Sequence, residues 1–430
     1  MNKIDFTFLF LIVFFVALRF FAVEADSASF IDFSNSNFTD EGYKTDFARE
    51  TFFGQAEKVF LGSYCKDCAF PNPTSTNNFF VNNVFLSSFV LFGQGFFSIR
   101  LVAIVLSLSS LALFCIVLHR FFGLRMALVT GALLASSFVF FSFNRLALLE
   151  NFVLFFVCLS FFVFVWFKNW FAKLFALALL LFGFFCKFSG SGASTVVSSG
   201  IPNELFLVVR DYAIMGANRV FRYSLVLYAV GLFSLILFLK NRKWFSIGSV
   251  RRIIVFNFVW FVGGMLTLGF FTYQPSRYFY LLLPPLAFFA GYLFCFGKGF
   301  VKLRTFVFVG LLFSQFFLFG VWLSDLHYSQ YDSSKEFANV MNSFGNPVVA
   351  GTWCPVLAVE SSVLCQRGSI GVAFDEGLLV DLNVGFLVAE DSEWQKWESV
   401  YGSYELVDFV FVKEFQVHNS KVFLFEIERS

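Results

Sequence analysis

Nine long apolar runs, separated by polar or charged connections, occupy about half of the first 325 residues of the chain. A helix that crosses the hydrocarbon core of a bilayer needs roughly 20 mostly apolar residues, and each run approaches that length. The predicted spans are Phe6–Val23, Leu101–Leu118, Met126–Phe143, Phe152–Phe167, Phe171–Cys186, Ser224–Leu239, Ile253–Phe271, Phe279–Phe296 and Thr305–Leu323. The pattern therefore predicts an all-α membrane bundle of about nine transmembrane helices.

The pattern changes near residue 326, where charged residues return and the apolar runs become short. Pro347–Gly351 and Val422–Glu428 have the length and composition of β-strands, and Ser333–Met341 is typical of a helix. We therefore predict a transmembrane domain over 1–325, with a large loop over 24–100, and a small α/β domain over 326–430.

Lysine and arginine residues are concentrated in alternate connections between the predicted spans. The basic connections contain His119, Arg120 and Arg125, then Lys168 and Lys173, then Lys240, Arg242, Lys243, Arg251 and Arg252, and finally Lys298, Lys302 and Arg304. Because short cytoplasmic loops carry an excess of Lys and Arg, these connections are predicted to face the cytoplasm. The N-terminus is then inside, and the loop 24–100 and the C-terminal domain are extracytoplasmic on a plasma or cytoplasmic membrane.

Phe79–Phe92 is a further apolar segment, and its position decides the orientation of every later connection. It is shorter than a span and carries Asn82 and Asn83. We predict an interfacial or re-entrant helix on the outer face. If it crossed the membrane, all later basic connections would lie outside.

The composition excludes a soluble globular protein. Of the 430 residues, 58% are hydrophobic and 14% are charged, whereas soluble domains carry about 25% charged residues. The mean hydropathy is +0.75, so membrane lipids are the expected solvent for much of the chain. No feature indicates nucleic-acid binding.

Two pairs of cysteines lie in polar segments. Cys65 and Cys68 have the spacing of half a zinc site, but no second pair of ligands is near them in the sequence. A local disulfide, or pairing with Cys354 and Cys365, is favoured in an oxidising compartment.

The first segment that could carry chemistry begins at Asp40 and Glu41, after the first predicted span. Adjacent carboxylates could provide a general base, bind a metal ion or simply solvate a loop. The residues that follow, including Tyr43 and Arg49, predict an amphipathic helix that starts here. Its N-terminal dipole would favour the two acids.

Further ionisable residues stand at the predicted outer ends of later spans. Arg145 and Glu150 precede the fourth span, Lys187 closes the fifth, and Arg277 with Tyr278 precedes the eighth. Charges beside lipid are costly unless they are paired or hydrated, so such residues are functional candidates. An arginine at this level suits a lipid phosphate, while an ion pair at the interface is the alternative for Arg145 and Glu150.

Taken in order, these motifs resemble the GT-C glycosyltransferases that use a polyprenyl-phosphate sugar donor, in the protein-mannosyltransferase and lipid A aminoarabinose-transferase group. The shared pattern comprises Asp40-Glu41, Ala48-Arg49-Glu50, Arg100, Arg120-Phe121-Phe122-Gly123, Arg145, Glu150, Lys187, Arg277-Tyr278 and Pro284-Pro285. The resemblance covers residues 1–325. It departs at Pro71-Asn72-Pro73, where the group often has Lys-Pro-Pro, and at Glu150, where Asp is commoner.

The resemblance implies transfer of a hexosyl or pentosyl group, with inversion, from a polyprenyl-phosphate donor such as a dolichyl-phosphate sugar to a protein, lipid or glycan acceptor. Asp40 would be the general base, and Glu41 and Glu150 would orient acceptor or sugar. The residues expected to bind the donor phosphate or sugar are Tyr43, Arg49, Arg145, Lys187, Arg277 and Tyr278. No redox cofactor and no metal site are expected, although the use of a divalent cation is left open.

Two other functions are compatible with the same spans. A transporter or flippase of lipid-linked saccharides would need ionisable residues deep within spans, and only Arg19 has such a position in the predicted spans. A membrane-anchored binding protein would act through its C-terminal domain alone. Loss of all function on removal of that domain would identify such a binding protein.

Overall fold

The computed structural model describes residues 3–28, 35–54, 79–188, 229–236, 248–270, 276–296, 301–366, 379, 383–401, 407–418 and 420–429. Of the predicted span Ser224–Leu239 only the helical residues 229–236 are described. The predictions for Cys65, Cys68 and Pro71-Asn72-Pro73 lie outside the described residues.

Helices form the described part of the chain up to residue 324, as the long apolar runs predict. They are α1 (Lys3–Phe20), α2 (Asn35–Phe52), α3 (Phe79–Phe92), α4 (Phe96–Phe122), α5 (Leu124–Ser136), α6 (Phe138–Arg145), α7 (Glu150–Trp166), α8 (Trp170–Phe188), α9 (Gly248–Phe270), α10 (Leu283–Phe296) and α11 (Val301–Ser324), with a 3₁₀ helix over Ser276–Leu282 before α10. The apolar helices pack through many aromatic pairs. Phe80 of α3, for example, contacts Phe152, Phe156 and Phe182 with ring centroids 5.4–6.3 Å apart.

Among the described residues, four helices are long and apolar enough to cross a membrane. They are Phe96–Phe122, Trp170–Lys187, Arg277–Phe296, which joins the 3₁₀ helix to α10, and Thr305–Ser343, whose apolar part lies in α11; the bent pair α5 and α6 would make a fifth. The chain is therefore a multi-pass membrane protein, and the number of about nine spans stays a prediction. Phe79–Phe92 is a separate helix of 14 residues, which agrees with the prediction that it is too short for an ordinary span.

The predicted span Met126–Phe143 is not one helix, because the chain bends by 66° between α5 and α6. Polar side chains from distant helices satisfy the backbone groups at this break. Arg19 donates from Nη1 to the carbonyl oxygen of Ala135 at 3.3 Å, and Gln315 accepts from the backbone N–H of Phe138 at 2.8 Å. The Ser137 hydroxyl also accepts from the second helix. The break is thus stable inside an apolar bundle, where unpaired backbone groups would be costly.

The C-terminal residues form the small α/β domain that the sequence predicts. It contains α12 (Ser329–Ser343), β1 (Val348–Ala350), α13 (Cys354–Leu357), a 3₁₀ turn (Ala358–Glu360), β2 (Leu364–Gln366), β3 (Phe386–Glu390), α14 (Asp391–Tyr401), β4 (Val407–Val417) and β5 (Ser420–Arg429). The strand order is β2-β1-β3-β5-β4, with β1 parallel to β2 and β3 and with β5 antiparallel to β3 and β4. Cys354 and Cys365 form a disulfide with each other. The alternative prediction, in which they pair with Cys65 and Cys68, was therefore wrong.

The helical bundle and the C-terminal domain each supply a carboxylate that caps a helix of the other. The carboxylate of Asp26, which follows α1, accepts from the backbone N–H groups of Ser329 and Gln330 at the start of α12, at 2.9 and 3.2 Å. In return, Glu360 accepts from the backbone N–H of Phe96 at the start of α4, at 2.9 Å. Burial raises the pKa of both Asp26 and Glu360 above their ordinary values. These caps hold the C-terminal domain on the helical bundle.

Candidate active site

A buried charged cluster, which consists of Glu150, Lys187 and Arg277, joins three separate parts of the chain. The Glu150 Oε1 atom accepts from Lys187 Nζ at 2.5 Å and from Arg277 Nε at 3.0 Å. Glu150 begins α7, Lys187 ends the apolar part of α8, and Arg277 lies in the 3₁₀ helix before α10. The structure therefore brings together three residues that the sequence placed at the ends of different spans. Two cations and one carboxylate leave one net positive charge.

Tyrosines from the 3₁₀ helix complete this cluster. The centroid of the Tyr278 ring lies 3.9 Å from Lys187 Nζ and 5.7 Å from the Arg277 guanidinium carbon, so the ring is next to both cations. The Tyr280 hydroxyl donates to Asn151 Oδ1 at 3.0 Å. Asn151 in turn donates to the carbonyl oxygen of Leu146 at 2.9 Å, so the turn before α7 is fixed.

Lys187 of the charged cluster also lines an apolar cavity of about 280 Å³. Lys187 and Tyr278 line one part of it, and the other lining residues are apolar or glycine: Val153, Leu154, Val157, Leu180, Phe184, Phe256, Val259, Trp260, Gly263, Gly264, Leu281 and Leu282. The cavity lies between α7, α8, α9 and the segment before α10. It joins a hydrocarbon-like surface to a positive charge, which suits an amphipathic ligand with an anionic head.

Glu41 lies in a second buried ion pair. Its two carboxylate oxygens accept from Arg100 Nε at 3.1 Å and from Arg100 Nη2 at 2.7 Å. Glu41 Oε1 also accepts from the backbone N–H of Ala147 at 2.8 Å, and the side chain is fully buried. Arg100 reaches further, to the carbonyl oxygens of Val23 and Ala25 and to Gln330 of α12. Arg100 belongs to the shared motif pattern but had no predicted role, although a charged residue at the start of a long apolar run was a usable signal.

The helix that carries Asp40 and Glu41 begins earlier than predicted. It starts at Asn35, so the two acids lie in its second turn and its first turn contains no acidic residue. The helix dipole acts mainly on the first turn, and Glu41 is stabilised instead by Arg100 and the Ala147 N–H. Asp40 and Tyr43 lie on this helix, and their predicted roles stay predictions.

Arg49, a predicted donor-binding residue, makes its contacts within the protein. Its Nη1 atom donates to the carbonyl oxygens of Ala358, Ser361 and Val363 at 2.8–3.1 Å. Its Nη2 atom donates to Asp46 at 2.8 Å and also to Glu50. These contacts tie α2 to the C-terminal domain, and they favour a structural role for Arg49 over a phosphate-binding one.

Arg145 does not pair with Glu150, so the predicted alternative of an interfacial ion pair between these two residues was wrong. Its Nη2 atom donates to the carbonyl oxygen of Ala22, and its guanidinium carbon lies 4.8 Å from the centroid of the Trp322 ring and 5.1 Å from that of Phe141. Glu150 is neutralised by Lys187 and Arg277 instead. Arg145 is therefore next to the Glu41 network and separate from the contacts of the charged cluster.

Three further residues at the site carried no role in the sequence analysis: Arg100, Asn151 and Tyr280. Asn151 follows Glu150 directly and Tyr280 lies three residues after Arg277, so proximity to the predicted residues was the available signal. Within the described part of the chain, no group of three or more His, Cys, Asp or Glu residues could hold a metal ion.

Comparisons with known proteins identify the fold. No protein-family model and no curated protein matches the sequence. The crystal structure of ArnT from Cupriavidus metallidurans in the apo state is similar over 99% of this chain and 98% of that chain, with a TM-score of 0.57 and 12% sequence identity. The structure of ArnT bound to undecaprenyl phosphate covers 97% of both chains, with a TM-score of 0.54 and 12% identity. The chain therefore has the GT-C fold of ArnT, an aminoarabinose transferase, as the sequence motifs predicted.

Proposed function

We propose that this protein is a membrane glycosyltransferase that takes its sugar from a polyprenyl-phosphate donor. The observation that carries the proposal is that Lys187, which shares the Glu150 carboxylate with Arg277, lines an otherwise apolar cavity. A polyprenyl tail would occupy the cavity, and its phosphate would meet the two cations. The similarity to ArnT bound to undecaprenyl phosphate supports the same ligand class.

The charge of the cluster suits a monophosphate-linked donor. A sugar–phosphate–polyprenol is a phosphodiester with one negative charge, and the cluster has one net positive charge. The donor phosphate would compete with Glu150 for Lys187 and Arg277, because the same nitrogen atoms that bind carboxylate also bind phosphate oxygens. During transfer, these cations would stabilise the negative charge that develops on the departing phosphate.

The proposed reaction is a single displacement at the anomeric carbon. The acceptor hydroxyl oxygen forms a new bond to that carbon, while the bond from the carbon to the phosphate oxygen breaks and leaves its electron pair on the polyprenyl phosphate. Asp40 accepts the proton of the hydroxyl as general base. Glu41 is the weaker candidate for the base, because Arg100 and Ala147 occupy its carboxylate. The configuration of the sugar is inverted, and the site faces the extracytoplasmic side.

Replacing either cation of the cluster is expected to weaken binding of undecaprenyl phosphate by about 10- to 100-fold. Each variant, Lys187→Gln or Arg277→Gln, removes a charge-assisted hydrogen bond, which contributes about 1.5–3 kcal/mol. Binding to the purified protein in detergent can be measured by native mass spectrometry. The matched control is Lys168→Gln, because Lys168 is exposed and lies in the connection just before α8, at the end opposite to Lys187. Equal affinity in all three variants and the unmodified protein would contradict the proposal.

Filling the cavity is expected to weaken binding of the same lipid without changing any charge. A Cβ atom added at Gly263 would meet no other atom within 4 Å, and Gly263 lines the cavity, so a leucine side chain would occupy the space for the tail. We expect Gly263→Leu to lower the affinity for undecaprenyl phosphate about tenfold, which is 1.4 kcal/mol. The control is Gly310→Leu, where an added Cβ atom also meets nothing but which lies outside the cavity. A similar loss in both variants would refute a tail site here.

A further inference from the structure

A disulfide joins Cys354 to Cys365 and closes a segment of the C-terminal domain that faces the helical bundle. The segment, called here the clamp segment (Cys354–Cys365), contains α13, the following 3₁₀ turn and the start of β2. Both helical pieces are short, so several backbone carbonyl groups have no partner within their own helix. These carbonyl groups are the acceptors that the bundle uses.

Two long side chains of the bundle bind the clamp segment from neighbouring positions. Gln94, in the turn between α3 and α4, donates from Nε2 to the carbonyl oxygens of Val359 and Ser361 at 2.6 and 2.7 Å. Arg49 of α2 donates to three carbonyl groups of the same segment. Glu50 accepts from the backbone N–H of Cys365 at 3.3 Å. The disulfide joins the two ends of the stretch that supplies all of these groups.

Nearer the start of α2, the backbone of this helix lies directly against α13 of the clamp segment. A Cβ atom added at Gly42 would lie within 2.5 Å of the Val356 Cα atom, so only glycine permits this approach. Gly42 follows Glu41, and Arg49 comes seven residues later, which is about two helical turns. The clamp segment therefore fixes α2 at two points, one of them beside the Asp40-Glu41 pair.

A short chain of contacts connects α2 to the charged cluster. Glu41 binds the backbone N–H of Ala147, and Ala147 lies three residues before Glu150, which binds Lys187 and Arg277. Asn151 fixes the turn that contains Ala147. The spacing between the Asp40-Glu41 pair and the proposed phosphate site thus depends on buried, hydrogen-bonded residues.

We propose that the clamp segment is the positioning element of the active site, with Arg49 and Gly42 as its positioning residues on α2. Its role is to hold the Asp40-Glu41 turn at the distance from the charged cluster that transfer requires, and it takes no part in binding donor phosphate. This inference rests on the proposed function. A misplacement of about 1 Å in a reacting group can lower a rate on the order of 100-fold, so transfer should depend on the clamp segment far more than donor affinity does.

The test compares three variants with the unmodified protein. They are Arg49→Gln, Gly42→Ala and a double variant that carries both Cys354→Ala and Cys365→Ala. Undecaprenyl phosphate binding is measured as above, and turnover is followed as release of undecaprenyl phosphate from a panel of undecaprenyl-phosphate sugars, with extracted membrane lipids or glycans as acceptors. Hydrogen–deuterium exchange reports the protection of α2. Gly320→Ala serves as control for the glycine variant, because an added Cβ atom there meets nothing. Cys295→Ala, in the bundle, serves as control for the cysteine variant.

We expect kcat to fall on the order of 100-fold, while the KM for the donor and the affinity for undecaprenyl phosphate stay within about twofold, since the charged cluster is unchanged. Exchange in α2 should become faster, and exchange in α7 and α10 should not change. Arg49→Lys, which keeps the charge, should restore part of the rate. Unchanged kcat, or kcat and lipid binding lost in parallel, would overturn the inference. The exchange measurement needs no substrate, so it separates failure of the clamp from failure of the proposed function, which would appear as no lipid binding by the unmodified protein.

Discussion

Asp40→Asn is expected to lower the rate of sugar transfer by about 10²- to 10⁴-fold, which is the usual contribution of a positioned general base. An asparagine has nearly the same size but accepts no proton from the acceptor hydroxyl. Binding of undecaprenyl phosphate should stay the same, because Lys187 and Arg277 are intact. The measurement is release of undecaprenyl phosphate from undecaprenyl-phosphate sugars by purified protein, with extracted membrane lipids or glycans as acceptors.

The matched control is Asp332→Asn, which changes an exposed carboxylate near the start of α12. It should leave both turnover and lipid binding unchanged. If Asp40→Asn turns over at the rate of the unmodified protein, Asp40 is not the base. The assignment of the base would then fail, while the proposal for the phosphate site would be unaffected.

Glu41→Ala is expected to destabilise the protein by about 3–5 kcal/mol, because it leaves the buried Arg100 guanidinium without its carboxylate. Arg100 is fully buried, so water cannot replace the lost partner. The Ala147 N–H loses its acceptor as well. The free energy of unfolding, measured by denaturant titration in detergent micelles, gives the size of the effect.

An exposed ion pair of the same protein provides the comparison. Glu336 of α12 pairs with Lys413 of β4, and both side chains are at least one-third exposed. Glu336→Ala should therefore change the free energy of unfolding by no more than about 1 kcal/mol. Equal effects of Glu41→Ala and Glu336→Ala would mean that the Glu41–Arg100 pair does not support the fold.

The sequence was sufficient to predict the helices because a long apolar run has few alternatives in a lipid environment. It also predicted Glu150, Lys187 and Arg277 at span ends on one side of the membrane, but it did not predict that Lys187 and Arg277 both bind Glu150. The resemblance to the GT-C group added the order of the motifs. The structural similarity to ArnT confirms that fold.

The break between α5 and α6 could not be predicted, because its causes lie far away in the chain. Arg19 and Gln315 satisfy the two sides of the break, and each looks like an isolated polar residue within an apolar run. For the same reason the sequence suggested Arg49 as a ligand of phosphate. Its acceptors, the carbonyl groups of Ala358, Ser361 and Val363, carry no signature in the side chains. Backbone acceptors become visible only when the domain that presents them is in place.

The helix α2 is made early on the ribosome, whereas the groups that bind Arg49 and Gln94 belong to residues 358–363. Membrane insertion of the bundle can therefore be well advanced before those groups emerge. The same holds for the helix caps made by Asp26 and Glu360, since each joins a residue that is synthesised early to one that is synthesised later. The contacts that hold α2 can therefore form only after residues 358–363 have been synthesised. A chain from which these residues have not yet emerged would not hold α2 in its final position.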